Sequence, residues 1–277
     1  MIKRRRLFCQ LSPAAYRISV LKGCVLRRAG DWLSGVRFAA DRQQQPLPLV
    51  VYRHNSLIRR TLGDVDPQLQ QNKAVNLAIA APKVSHVLIR PGETFSFWQL
   101  VGRCTAKAGY REGMVIQNGE VERGIGGGLC QFTNLLHWMV LHAPLTITEH
   151  HHHDGRDLFP DFGRQVPFGT GTSIFYNYID YRFKNNSVIT FQLVAYVTDT
   201  HLCGELRADR LPQLKYHIEL RDEAFVQKDD GIYRVGRLYR NAIDRVTGNT
   251  VSSTLIKENH ARIAYPIDAA MVVEAPG

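Results

Sequence analysis

The stretch GIGGGLCQFTNLLHWMVLHAP, residues 124–144, constrains this chain most. Gly124, Gly126, Gly127 and Gly128 crowd the approach to Cys130, and glycine backbones permit sharp turns and close contacts closed to other residues. Directly after them Phe132, Leu135, Leu136, Met139 and Val140 recur at helical spacing until Pro144 closes the run. A helix so apolar must be buried, which requires strands or further helices to cover it.

The surrounding sequence supplies them. Asp66-Pro67 reads as a helix start, with the Asp as N-cap, and Leu69, Val75, Ala78 and Ile79 keep a helical period that Pro82 is expected to stop. VSHVLIRPGETFSFW reads as two strand-like runs joined through Pro91-Gly92, and residues 110–123 as strand, Asn118-Gly119 turn, strand. IFYNYIDYRF and TFQLVAYV are strands by composition. YHIEL, IYRVGRLYR, VSSTLI and ARIAYPI suggest a closing β-meander.

The class expected is α+β: a glycine-loop and cysteine-helix core packed on antiparallel strands, with a C-terminal β-meander. The expected divisions are a basic amphipathic segment with its linker over 1–45, the α+β core over 46–205 and the meander over 206–277. Hydrophobic residues at 44% and charged residues at 22% exclude disorder and collagen-like repeats. No uninterrupted apolar run approaches the ~18–20 residues of a membrane span, so a soluble chain is expected.

Charge is concentrated at one end. Residues 1–40 hold nine Lys and Arg against Asp31 alone, so this segment carries +8 of the chain's +10. Such a block seeks polyanions. Nucleic acid is disfavoured, because no recognised binding motif accompanies the charge. Segment 16–33 sets Ile18, Leu21, Val25, Trp32 and Leu33 among basic residues, so a helix there suits peripheral contact with an anionic membrane. The preferred, blander reading is a basic helix packed on its own domain.

The leading KRRR lacks the apolar stretch and cleavage site of a signal peptide, so a retained, cytoplasmic N-terminus is expected. Cys9, Cys24, Cys104, Cys130 and Cys203 are scattered, without a CxxC pair, as in a reducing compartment.

Cys130 is the principal candidate for chemistry. A thiol at the first turn of a helix meets unpaired N–H groups whose partial positive charge lowers its pKa. Those N–H groups can also form an oxyanion hole, with the Gln131 amide as an extra donor. The alternative is a small buried thiol at a tight turn. A thiol nucleophile needs a base and the base an orienter. His150, His151, His152 and His153 follow the strand-like LTIT, and alternation on a strand turns one pair toward the helix. Asp180 lies on the next strong strand, and cysteine helix, histidine strand, acid strand is the order of papain- and transglutaminase-like folds. For Asp180 the plainer role is a structural hydrogen bond.

Two rival readings weaken on inspection. The histidines offer imidazoles at i and i+2, but no HExxH or second ligand pair accompanies them, so no metal is assigned. GIGGGLC lacks the GKS or GKT ending of a nucleotide loop, so no cofactor is expected.

RPGETFSFWQLVG (90–102) and GIGGGLCQFTNLLHWMVLHAPLTITEH (124–150) together resemble the VanW family over essentially the whole chain. The resemblance implies an association with glycopeptide resistance and the cell envelope, with a peptide or cell-wall precursor as partner. It carries over Gly126, Gly127, Gly128, Cys130 and Gln131, the glycines and Gln131 as substrate-binding positions. His153 best fits the histidine that follows PLTI in the family, with His151 or His152 replacing it if the register slips. Asp180 matches the family acid, here in DYRFKN. The expected catalytic set is Cys130, His153 and Asp180 in an acyl transferase or amidase, the alternative being a binding module at the inner membrane face.

Overall fold

A computed structural model describes residues 8–59, 66–117, 120–152, 155–158, 160–161, 165–176 and 178–274. Helix α1 (Pro13–Leu33) begins where the Ser12 hydroxyl accepts the Ala15 N–H at 3.1 Å. Strand β1 (Leu49–Leu57) follows. Helix α2 (Pro67–Val84) starts as expected, the Asp66 carboxylate accepting the Gln68 N–H at 2.9 Å. It runs through Pro82 instead of stopping there. Proline forfeits the bond to the carbonyl one turn back, and burial of Ala80, Ala81 and Val84 in the core outweighs that loss.

The Pro91-Gly92 turn separates β2 (Leu88–Ile89) from β3 (Thr94–Ser96). The run beyond β3 turns helical as α3 (Phe97–Val101), because the Ser96 hydroxyl accepts the Gln99 N–H and the Asp180 carboxylate accepts the Trp98 N–H. β4 (Glu112–Gln117) and β5 (Glu120–Ile125) pair with Gln117 opposite Glu120. The expected Asn118-Gly119 turn lies outside the described residues.

Helix α4 (Cys130–Leu141) leaves the glycine loop and is followed by β6 (Thr146–Glu149), β7 (Arg156–Asp157) and β8 (Arg182–Lys184). Of the strand expected from IFYNYIDYRF only Arg182 and Phe183, in β8, lie in a strand among the described residues; before them the Ile179 N–H bonds the Phe175 carbonyl. β9 (Phe191–Val197) and β10 (His201–Ala208) precede the long β11 (Leu214–Lys228), β12 (Gly231–Asp244) and β13 (Thr250–Ile263), with β14 (Val272–Glu274) last. VSSTLI and the first three residues of ARIAYPI are thus one strand, not two.

The class is mixed α+β, dominated by strands. One antiparallel sheet runs β1-β10-β9-β2 and a second β3-β8-β6. The C-terminal sheet, β14-β11-β12-β13-β7, recruits β7 from the middle of the chain, parallel to β13. Helix α4 lies on β1 and β10, and α2 on β9. A Cβ at Gly204 of β10 would sit 2.8 Å from Leu135 and Met139, so glycine sets how closely α4 approaches that sheet. On its other side α4 presents Trp138 and Leu141 to Ile218 and Leu238 of the C-terminal sheet.

Two arginines of β12 fasten that sheet. Arg240 donates to the carbonyls of Leu141 (2.8 Å) and Ala143, placing a cation at the C-terminal end of α4. Arg234 reaches Asp157 (3.3 Å), Asp161 (2.5 Å) and Glu223, its guanidinium 4.3 Å from the Phe168 ring centre.

Helix α1 is docked on the core through one face. Arg27 forks onto Glu149 at 2.5 and 2.6 Å, and Asp31 receives Arg182 at 2.5 and 2.8 Å. Among the described residues no helix is long and apolar enough to cross a membrane.

His142 ends α4 stacked on Tyr52 at 3.7 Å, with Nδ1 2.8 Å from the Trp138 carbonyl. Burial pushes its pKa from the ordinary 6.5 down to about 4, against the pull of that carbonyl. The unfolded chain therefore takes up a proton that the folded chain refuses between these values. Stability is whole above pH 6.5 and falls as the pH drops toward 4. By ~1.36 kcal/mol per pKa unit the loss is on the order of 3 kcal/mol. Urea titrations should show His142→Phe with a flatter stability profile over this window than wild type; an unchanged slope would refute the assignment.

Candidate functional site

The glycine loop is clamped from three sides. The Gly126 N–H donates to the Arg111 carbonyl (2.9 Å) and the Gly128 N–H to the Met114 carbonyl (2.8 Å), while the Asn76 amide donates to the Gly127 carbonyl (2.9 Å). Gly126 and Gly128 have φ of 79° and 90°, the left-handed region that favours glycine. A Cβ on Gly127 would fall 2.2 Å from the carbonyl carbon of Gly113, and one on Gly126 2.5 Å from Cys104 Cβ. Of the three family glycines only Gly128 lines the adjacent cavity; Gly126 and Gly127 are spent on packing.

That cavity holds about 430 Å³. Gly128, Cys130 and Asn134 form one wall, with Lys73 of α2 and Met114 of β4 beside them. Lys257, Asn259 and His260 of β13 also line it. His152 lines it too.

Cys130 is the first residue of α4, whose N-terminus has no side-chain cap. Burial pushes its thiol pKa up, against the pull of the backbone N–H groups of Ile174 and of Cys130 itself. The lowering expected from the helix terminus is thus overridden by desolvation. The Ile174 segment is held by Asn134, whose Oδ1 accepts the Thr172 N–H at 2.6 Å and the Thr172 hydroxyl at 2.8 Å, while Thr172 and Thr133 share a 2.5 Å hydrogen bond. Asn134 is one helical turn beyond Cys130 and FGTGTS is a visible glycine-rich loop, but nothing in the sequence couples the two.

The other candidate residues are placed unevenly. Gln131 lines the cavity with its amide already donating to the Ser56 hydroxyl and the Leu57 carbonyl, each at 2.8 Å, so it ties α4 to β1. His153 lies outside the described residues. His152 packs edge-on to His150 with ring centres 4.1 Å apart, and His150 stacks on His137 at the same spacing. His150 Nε2 is 3.0 Å from the Gly171 carbonyl, and His137 Nδ1 is 3.2 Å from the Tyr181 hydroxyl. His137 is held neutral, first by burial and then by its histidine neighbours. His151 turns the other way, onto Glu149 at 3.0 Å. Among the described residues no three His, Cys, Asp or Glu side chains are grouped to hold a metal ion.

Asp180 does not reach the cavity. Its carboxylate takes the Ser96 hydroxyl (2.5 Å), the Arg182 guanidinium (2.8 Å) and the backbone N–H groups of Trp98 and Tyr181. Tyr181, next in the chain, stands beside the histidines instead, its hydroxyl 3.2 Å from His137 Nδ1.

A family model described as VanW like protein matches residues 72–207, from α2 through the glycine loop and Cys130 to β10. The vancomycin B-type resistance protein VanW of Enterococcus faecalis (strain ATCC 700802 / V583) is 30% identical over 246 residues, 89% of this chain and 89% of that protein. The chain belongs to the VanW family. The uncharacterized protein YoaR of Bacillus subtilis (strain 168) is 31% identical over 118 residues, 42% of this chain and 36% of that one. No solved structure matches. The VanW match includes the lining residues Lys73, Cys130, His152 and Thr172, whereas Lys257 and Asn259, which also line the cavity, fall beyond it. Those two were missed in the sequence because a β-meander strand gives no signal of what it faces.

Two outcomes are expected. With the other four cysteines replaced by alanine, the alkylation rate of Cys130 against pH should give an apparent pKa above the ordinary ~8.5; a value below that would show a preformed thiolate. Asp180→Ala should lower unfolding stability by about 3 kcal/mol, since it removes the acceptor of the buried Ser96 hydroxyl and of the Trp98 and Tyr181 N–H groups, and leave the Cys130 profile unmoved. A shifted profile at unchanged stability would instead make Asp180 an orienter of the site.

Proposed function

We propose that this chain acts on peptide-bearing cell-envelope precursors through the Cys130 cavity, as a cysteine-dependent acyl transferase or amidase. The observation that carries this reading is a thiol at an uncapped helix N-terminus, addressed by two backbone N–H groups, in the wall of a cavity that also holds an imidazole. Cys130 Sγ would attack the substrate carbonyl while His152 takes the thiol proton. The Cys130 and Ile174 N–H groups would steady the oxyanion. As the C–N bond breaks, His152 returns the proton to the leaving amine, and water or an acceptor amine then resolves the thioester.

Because burial keeps the resting thiol protonated, the base acts during the reaction and not through a standing ion pair. The order of Cys130 on α4, histidines after β6 and β8 paired to β6 supports a papain- or transglutaminase-like relation. With Asp180 engaged elsewhere, the Gly171 carbonyl fixes the ring of His150, against which His152 packs.

The link to glycopeptide resistance rests on the enterococcal relative, named for vancomycin B-type resistance. The cysteines, all free thiols, suit the cytoplasm. A second reading, a non-catalytic precursor-binding module, is favoured by the raised thiol pKa alone.

Intact-mass spectrometry after incubation with a soluble peptide-bearing cell-wall precursor separates the two readings. Acyl transfer predicts a thioester adduct that Cys130→Ala abolishes and that His152→Ala slows by roughly a hundredfold or more. Binding by Cys130→Ala equal to wild type, with no adduct on either protein, would leave the binding module.

A further inference from the structure

Helix α1 has two faces of opposite character. The inward face carries Arg27 and Asp31, both committed to partners on the core, and Gly23, where a Cβ would sit 2.6 Å from the Tyr178 ring. At 3.6 residues per turn Arg27 lies about 180° from Ile18. The outward face is apolar: Ile18, Leu21, Val25 and Trp32 fall within about 60° of one another. They are 56%, 64%, 56% and 82% exposed.

Arg17 and Arg28 flank this stripe on one side and Lys22 on the other. The single acid of the helix, Asp31, is turned inward onto Arg182, so the outward face carries positive charge only. A stripe of large apolar side chains bordered by long basic ones is the pattern of a helix lying in a lipid interface, its lysines and arginines reaching up to the headgroups.

We propose that α1 is an in-plane anchor for an anionic lipid bilayer, held rigidly to the core so that membrane contact fixes the orientation of the whole protein. The charge selects the occupant: a protein groove would cover the apolar stripe equally well, but a ring of arginine and lysine without a compensating acid is matched by anionic headgroups. Rigidity comes from the Arg27–Glu149 and Asp31–Arg182 forks. Glu149 also receives His151, next in the chain to the cavity residue His152, so the anchor's partner and the cavity lie on one short stretch of chain.

The test uses the full chain and vesicles of phosphatidylglycerol mixed equally with phosphatidylcholine, against phosphatidylcholine alone. The chain should sediment with the anionic vesicles and not with the neutral ones. Trp98 and Trp138 are buried, so a blue shift of fluorescence with loss of acrylamide quenching reports Trp32 entering the interface. Leu21→Glu with Val25→Glu, both at exposed positions, should leave the unfolding midpoint unchanged and weaken partitioning at least about tenfold. Arg17→Gln with Arg28→Gln should weaken it several-fold and reduce its salt dependence.

The assignment fails if the chain stays in the supernatant with Trp32 still quenchable. It fails as well if binding persists in Leu21→Glu with Val25→Glu and disappears only with salt, which is surface adsorption without insertion. A dimer in sedimentation velocity that this double variant makes monomeric, without vesicle binding, would assign the face to a second copy of the chain.

Discussion

Burial of α4 is the constraint on which the rest of the structure depends. Nine of its twelve residues are buried. Phe132, Leu135, Leu136 and Met139 are removed from water almost completely, each contributing on the order of 2 kcal/mol. The helix is gripped by the β1-β10 side of one sheet and by Ile218 and Leu238 of another, with Arg240 across its C-terminal carbonyls. A helix held on both sides and at one end cannot slide along its axis. Its free end, where Cys130 stands, is therefore fixed relative to both sheets, and a pocket built there keeps its shape.

A second level of order is ionic. Arg182 touches Asp180 and Asp31, and lies 3.5 Å from Glu149, which in turn holds Arg27. Burial raises the Glu149 carboxyl, but the Arg27 fork and the N–H of Asp180 outweigh it and hold the group below its usual range. Such clusters add little net stability over apolar packing, because desolvation of the charges cancels most of their attraction. What they do supply is direction, since α1 can dock in only one rotation that satisfies every partner.

How far the sequence was legible follows from how local each signal is. The Asp66-Pro67 start of α2 and the apolar period of α4 are written within a few residues, and both formed where expected. The glycine loop announced its left-handed turns, though not that Gly127 would meet the backbone of Gly113. Asp180 stands away from the cavity on a stretch where the Ile179 N–H bonds back to the Phe175 carbonyl and the expected strand does not form, which composition does not reveal. The raised Cys130 pKa was hidden for a similar reason: a helix terminus is visible in sequence, and the depth at which neighbouring loops bury it is not.

The walls of the cavity come from residues as far apart as Lys73 and Ala261. During synthesis the glycine loop, α4 and the histidines emerge long before β13 does. A nascent chain can bury α4 against β1 yet still present an open trough where the finished protein has a chamber. Whatever the cavity does, it can begin only once β13 has emerged, and a transcript truncated before β13 yields a chain that keeps Cys130 but lacks the β13 residues that line the cavity with it.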